Sequence, residues 1–199
     1  ANEVYLHGRR RRDGRAFLSI AQHSGGYGGS AVQDGHACLC FPNNTRNIPV
    51  EVTEGEAPIL HEYKRLLPDS GGAGRHRGGL GQEVAFRILE GEQGPEGPID
   101  GVVRLNNRDE AGTFPILGRR GGRSGRGFGL RIDGAPAEHG INRRLAPGTH
   151  VHFTLGGGGG YGDPLERAPE SVAEDVREGY VSAERAASDY AVILDPETG

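Results

Sequence analysis

The segment Asp69-Ser-Gly-Gly-Ala-Gly-Arg-His-Arg-Gly-Gly-Leu-Gly81 gathers more groups able to do chemistry than any other stretch of this chain. Gly71, Gly72 and Gly74 bare their backbone amides, and Arg75, His76 and Arg77 place positive charge beside them. Backbone N–H groups and guanidinium forks both complement the oxygens of a carboxylate or phosphate, so the pattern suits an anion pocket. Asp69 and Ser70 add a carboxylate and a hydroxyl that could act in catalysis. The same residue types also make a tight connection between two strands, with the arginines tied to acidic neighbours. That plainer reading is the expected one.

His150 and His152 stand two positions apart where a strand is predicted, so both rings face one side. Two imidazoles at that spacing could bind a metal, but such a site needs at least a third protein ligand. No residue is identified for that role. The expectation is no metal, with His150 and His152 as the weaker alternative. Asp34 and His36 form another loose pair. Cys38 and Cys40 are the only cysteines, and His36 is near enough in sequence to serve a thiol nucleophile as base. Side chains two apart on one strand do not converge as that pair must, which favours structural thiols. A disulfide between them is disfavoured by the local geometry. Two reduced thiols suit the cytoplasm.

The run Gly156-Gly-Gly-Gly-Gly-Tyr-Gly-Asp-Pro164 removes every Cβ from a stretch of backbone and lets it approach another surface closely. Tyr161, Asp163 and Pro164 then give it a defined exit, unlike a Gly/Ser linker. Gly157, Gly159 and Gly162 match the spacing of the dinucleotide fingerprint, but Asp163-Pro164 stands where a long helix must begin. The phosphate-loop pattern fails, because no Gly-Lys is followed by Ser or Thr. Close backbone packing at an interface or a buried turn is the expectation.

These groups must be positioned by short elements. Apolar runs between Gly, Pro and Asn clusters predict strands at Ala16–Ile20, His36–Phe41, Ile59–Leu67, Gln82–Leu89, Gly101–Leu105, Phe128–Ile132 and His150–Leu155. Val84, Phe86 and Ile88 alternate with their neighbours as a half-buried strand does, and so do Val151, Phe153 and Leu155. Glu90–Pro98 and Arg119–Gly129 read as loops. After Pro164 the character changes. Pro169 suits a first helical turn, Val172 and Val176 share a helix face, and Gly179 supplies a stop. Ser182 can cap a second helix to about Asp189. The fold class is therefore mainly β (α+β): a Gly-rich β body of about seven strands, residues 1–163, with a small two-helix tail, 164–199, packed on it.

The chain has 199 residues, 36 of them glycine and 12 proline, and a hydrophobic share of 34%, low enough that a partner could complete part of the core. No methionine occurs, so the expectation is a processed chain or a piece of a longer polypeptide. A net charge of −4 argues against a broadly basic nucleic-acid surface, despite the local run Arg9–Arg12. Lys64 is the single lysine. No apolar run approaches the ~20 residues of a membrane span, and no signal-peptide pattern opens the chain.

Four stretches together resemble the B subunit of the hydantoinase/5-oxoprolinase group. Asn43-Asn-Thr-Arg-Asn-Ile-Pro-Val-Glu51 is similar to its N-T-R-N-x-P-V-E segment, and Asp69–Gly81 to its D-S-G-G-A-G-x-x-R-G-G-L-G segment. Gly156–Pro164 is similar to its G-G-G-G-Y-G-D-P signature, and Arg167-Ala-Pro-Glu170 through Tyr190 to its closing tail. The resemblance runs over about residues 14–194 and corresponds to the C-terminal third of a usual B subunit. It implies a part in ATP-dependent hydrolytic opening of a cyclic amide, a hydantoin or 5-oxoproline, within an A/B hetero-oligomer. Related ATP-dependent carboxylases of acetone or acetophenone, and a non-catalytic scaffold, are the alternatives. ATP and a divalent metal are expected to serve the complex without being bound by this chain. The expected partners are an ATP-handling A-type subunit and the remainder of the B subunit. For the developing negative charge of ring opening, Arg75, Arg77 and the amides of Gly71–Gly74 are the local candidates.

Overall fold

Alternation of apolar and polar residues along most strands gives each sheet one face to bury. A computed structural model describes residues 2–11, 13–40, 47–91, 94–104 and 116–194. In them, β1 (Asn2–Arg9), β2 (Ala16–His23), β5 (Ile99–Arg104) and β8 (Arg143–Leu145) form an antiparallel sheet in the order β2-β1-β5-β8. A second antiparallel sheet takes the order β3-β4-β9-β6-β7, from β3 (Ile59–Leu66), β4 (Gln82–Ile88), β6 (Gly129–Ile132), β7 (Ala135–Pro136) and β9 (His150–Thr154). Val4, Leu6, Phe17 and Ile99 of the first sheet join Ile59, Val84, Phe86, Ile88, Val151 and Phe153 of the second in one core. Phe86 and Phe153 are essentially fully buried, each worth about 1.5–3 kcal/mol of apolar transfer.

Six of the seven expected strands are present, and the mainly β class holds. His36–Phe41 is the exception: Cys38 turns the chain through φ 54°, and Phe41 lies outside the described residues, as do residues 43–46 of the Asn43–Glu51 stretch. Leu105 lies outside them too. β1, β7 and β8 were not expected, nor was α1 (Val50–Glu56). That helix starts after Pro49 despite β-branched Val50, Val52 and Thr53, which disfavour helix on their own. It packs on β2 and β3, so tertiary cover outweighs local preference.

Beyond the ends of β4 and β9 the chain stops forming ladders and the glycines take over. Residues 156–160 run through the middle of other extended segments and bond to them one residue at a time. Gly26 N donates to Gly156 O and Gly29 N to Gly159 O, so the same neighbour returns after three residues. On another side Gly157 N donates to Arg126 O and Gly160 N to Arg123 O, again three apart. Gly158 N donates to Gly79 O and its carbonyl accepts from Gly72 N. A repeat of three with no bonds inside the segment is the pattern of extended threefold helices packed side by side. Only glycine permits it: a Cβ on Gly157, Gly158 or Gly160 would overlap the backbone carbonyls of Ser70, Tyr27 or Ala73.

The tail then docks. Asp163 caps a single 3₁₀ turn, Pro164–Glu166, by accepting from Leu165 N. α2 (Pro169–Arg177) begins with proline, and Ser182 caps α3 (Ala183–Tyr190) by accepting from Arg185 N. Val172, Val181, Ala186 and Tyr190 pack around Ala73 in a second small apolar cluster. Among the described residues no helix is long and apolar enough to cross a membrane.

Candidate functional site

Polar groups penetrate the sandwich where β2 and β3, the edge strands of the two sheets, are covered by α1. His23 ends β2 and is 3% exposed. Its ring meets Phe153 edge-on at 5.1 Å, and its Nδ1 has no hydrogen-bond partner among the described residues. Burial, helped by the nearby positive charge of Lys64 and His61, pushes its pKa down to about 3. His61, on β3, binds Glu54 of α1 twice: its backbone N at 2.7 Å and its Nδ1 at 3.3 Å from Oε1. Burial still lowers its pKa, although Glu54 opposes this. Lys64 donates from Nζ to Ile48 O at 2.7 Å, and burial lowers its pKa as well. Gln82, at the start of β4, donates to Ser24 O at 2.8 Å and to Asn47 Oδ1 at 2.9 Å.

Cys38 belongs to this neighbourhood. Burial pushes its thiol up to about 11, against a hydrogen bond with Gln82 and the charge of Lys64. At neutral pH it is a protonated, weakly reactive thiol. His36 pairs with the Gln33 side chain at 3.3 Å. Both cysteines are free.

The groups of the Asp69–Gly81 loop are committed internally. Ser70 is fully buried, donates to Leu67 O at 2.5 Å and accepts from Gly81 N at 2.9 Å. Asp69 accepts from Ser182 N at 2.8 Å, tying the loop to the tail. The bared amides are used too: Gly72 N bonds Gly158 O, and Gly74 N reaches the Tyr190 hydroxyl. Arg77 is buried, its Nε 3.2 Å from Asp175 Oδ1, its Nη1 donating to Gly78 O, and its guanidinium over the Tyr180 ring. His76 Nδ1 lies 3.9 Å from Asp34 Oδ1. Arg75 is exposed and donates to Ala31 O at 3.3 Å. Arg75, His76 and Arg77 therefore turn to three different surroundings.

Asp34 and Asp175 explain the arrangement. Arg167 grips Asp34 with two bonds of 2.8 Å and Asp175 with one of 2.7 Å. Burial opposes its charge, but the two aspartates outweigh that and raise its pKa. Asp34 also accepts from Arg77 N at 2.7 Å, and these arginines hold its carboxyl below the usual range although burial works the other way. Burial of Tyr190 beside them pushes its hydroxyl up to about 12. Two arginines balanced by two aspartates lock α2 onto the loop.

His150 and His152 share the outer face of the second sheet, but each binds its own carboxylate. His150 Nδ1 is 3.0 Å from Glu62 Oε1, and His152 Nε2 is 3.0 Å from Glu83 Oε1. Among the described residues no three His, Cys, Asp or Glu side chains gather as a metal-ligand set. His23, His61 and Gln82 escaped sequence reasoning, since an isolated polar residue on a strand gives no pattern, whereas Asn47 lies in the Asn43–Glu51 segment. The one available signal was the solitary Lys64.

Comparison with known proteins places this geometry in context. The model of the family described as hydantoinase B/oxoprolinase matches residues 1–164. The beta subunit of a caprolactamase from Pseudomonas jessenii is 31% identical over 199 aligned positions, covering 94% of this chain and 32% of that protein. The alpha subunit of an acetone carboxylase from Xanthobacter autotrophicus is 26% identical, covering 90% of this chain and 27% of that protein. The crystal structure of the ATP-dependent caprolactamase from P. jessenii superposes with a TM-score of 0.78 at 27% identity, over 98% of this chain and 35% of the other. The chain thus spans about a third of the length of the relatives it matches.

Proposed function

This chain belongs to the hydantoinase B/oxoprolinase family, and from that premise we propose that it is the C-terminal part of a B-type subunit. In this reading it takes part in the ATP-dependent hydrolytic opening of a cyclic amide, in the cytoplasm, with an A-type subunit and the remainder of the B subunit. The observation that supports it best is the 31% identity to a caprolactamase beta subunit across 94% of the chain.

The chemistry asks for two things. An unstrained lactam is a poor electrophile; ATP would supply a phosphoryl group to its oxygen. Water could then add to the ring carbon, and the C–N bond break with a proton passing to the departing amine. Hydrolysis of the resulting acyl phosphate would release phosphate. Negative charge then develops and is stabilised by fixed cations and N–H donors. The described residues contain neither a phosphate-loop sequence nor a convergent metal-ligand set. In the same reading nucleotide and metal belong to the rest of the assembly. This chain offers a rigid, backbone-filled body, with Lys64 beside the α1-covered edge and exposed Arg75 as its candidate cations.

The identity to an acetone carboxylase alpha subunit favours a second reading, ketone carboxylation on the same scaffold. Assay of the complete assembly separates them. ATP-dependent release of the ring-opened product is expected, an amino acid from caprolactam or 5-oxoproline and an N-carbamoyl amino acid from a hydantoin, reduced in kcat by Lys64→Met without dissociation of the complex. Bicarbonate-dependent consumption of acetone without ring opening would establish the carboxylase instead. Absence of both activities would leave a scaffold.

A further inference from the structure

The outer face of the second sheet carries a hollow that ring opening does not call on. Gly129 stands opposite Thr154 in the β6–β9 register, so one position on that face has no side chain to fill it. The space is about 220 Å³, and among the residues that line it are Glu83, Arg126, Gly129, Arg131, His152 and Thr154. That is smaller than the ~300–1,000 Å³ of sites for drug-sized ligands. It suits an ion with a little water and excludes a nucleotide.

Charge decides which ion. Glu83 is the one carboxylate in the lining, and both its oxygens are taken: Oε2 by Arg65 at 2.7 Å and Oε1 by His152 at 3.0 Å. Arg131 uses one guanidinium nitrogen on Gly134 O. The Arg126 guanidinium has no hydrogen bond or ion pair among the described residues, although its backbone N and O are both bonded, to Ser70 and Gly157 of the glycine bundle. Two exposed arginines and Thr154 thus line the hollow together with a carboxylate already paired with Arg65 and His152. Guanidinium forks bind carboxylate and phosphate oxygens better than they bind chloride, which offers no planar or tetrahedral set of acceptors.

We propose that this hollow is a binding site for a small oxyanion, held between Arg126 and Arg131 with Thr154 as the neutral donor. Phosphate and a small carboxylate share the required chemistry, and the test has an arm for each. Inorganic phosphate and acetate are titrated calorimetrically into this chain at constant ionic strength, with chloride as the balancing salt. Saturable binding of at least one is expected, and the tighter of the two identifies the anion. Arg126→Gln should weaken it about tenfold, the loss of roughly one charge-assisted bond. Arg126→Gln combined with Arg131→Gln should abolish it. The unfolding temperature without added anion should stay unchanged in both variants, because neither side chain holds the fold. No saturable binding of either anion, or equal affinity in the double variant, would overturn the proposal. The outcome does not depend on whether the assembly opens lactams.

Discussion

The sandwich and the glycine bundle solve the problem of a dense interior in opposite ways. In the sandwich, Phe86, Phe153 and the aliphatic residues around them fill the space between two backbones, and the ladders lie at its walls. In the bundle the backbones themselves fill the space, and hydrogen bonds run through its middle. The sandwich gains from apolar surface removed from water. The bundle gains from buried amides and carbonyls paired between segments, such as Gly158 N with Gly79 O and Gly160 N with Arg123 O, since an unpaired one costs about 1–3 kcal/mol. Truncating a side chain therefore wounds the first region, and adding one wounds the second.

Gly158→Val should give the largest effect. Its Cβ would collide with the backbone carbonyl and carbon of Tyr27, atoms that no rotamer can move. We expect no cooperatively folded chain, read from soluble yield and thermal unfolding; a folded variant with near-normal stability would end the distinction between the regions. Phe153→Ala, a pure truncation in the sandwich, should cost about 3–5 kcal/mol in denaturant unfolding and leave a folded protein. A loss under about 1 kcal/mol would mean that the sandwich core is not what holds the first region together.

Arg167→Met tests the junction of the bundle with the tail. It leaves Asp34 and Asp175 to Arg77 alone among the arginines and should destabilise the docked tail by about 1.5–3 kcal/mol, the loss of charge-assisted bonds. Hydrogen exchange should accelerate in α2 and α3 while β4 and β9 stay protected. Equal acceleration everywhere would show that the tail and the body unfold as one.

A graded effect, modest per pH unit, comes from pH. His23 is folded with a pKa of about 3 against 6.5 when free, so between those values the unfolded chain binds the extra proton. Its contribution to stability is whole above pH 6.5 and fades as pH falls towards 3, by up to ~1.4 kcal/mol per unit. Replacing it by His23→Leu should flatten that part of the stability–pH curve. An unchanged slope would place the titration elsewhere.

The same contrast governs what sequence reasoning could reach. Strands of the sandwich announce themselves through Val84, Phe86 and Ile88 or Val151 and Phe153, because burial on one face leaves an alternating trace. The tail was readable from Pro169, Ser182 and the Val172–Val176 spacing. The bundle leaves no period, since glycine has no side chain with which to mark a face, and the run 156–160 signalled close packing without its neighbours. α1 was hidden because its β-branched residues argue for a strand, and β1 because its polar positions and the arginines after it mask Val4 and Leu6. The loop motif at Asp69–Gly81 pointed to chemistry, but its arginine and aspartate partners, Asp34, Arg167 and Asp175, lie far away in sequence. Polar strand-end residues such as His23 and Gln82 become visible only once the two sheet edges meet.

Amide hydrogen exchange at Gly157, Gly158 and Gly160 tests the central claim most directly, that the glycine run is a buried, backbone-filled core. Each of these amides donates to a carbonyl of a neighbouring segment. Exchange should be as slow as in β4 and β9, with protection lost only on global unfolding. Exchange at the rate of an open loop, with the sheets still protected, would contradict it.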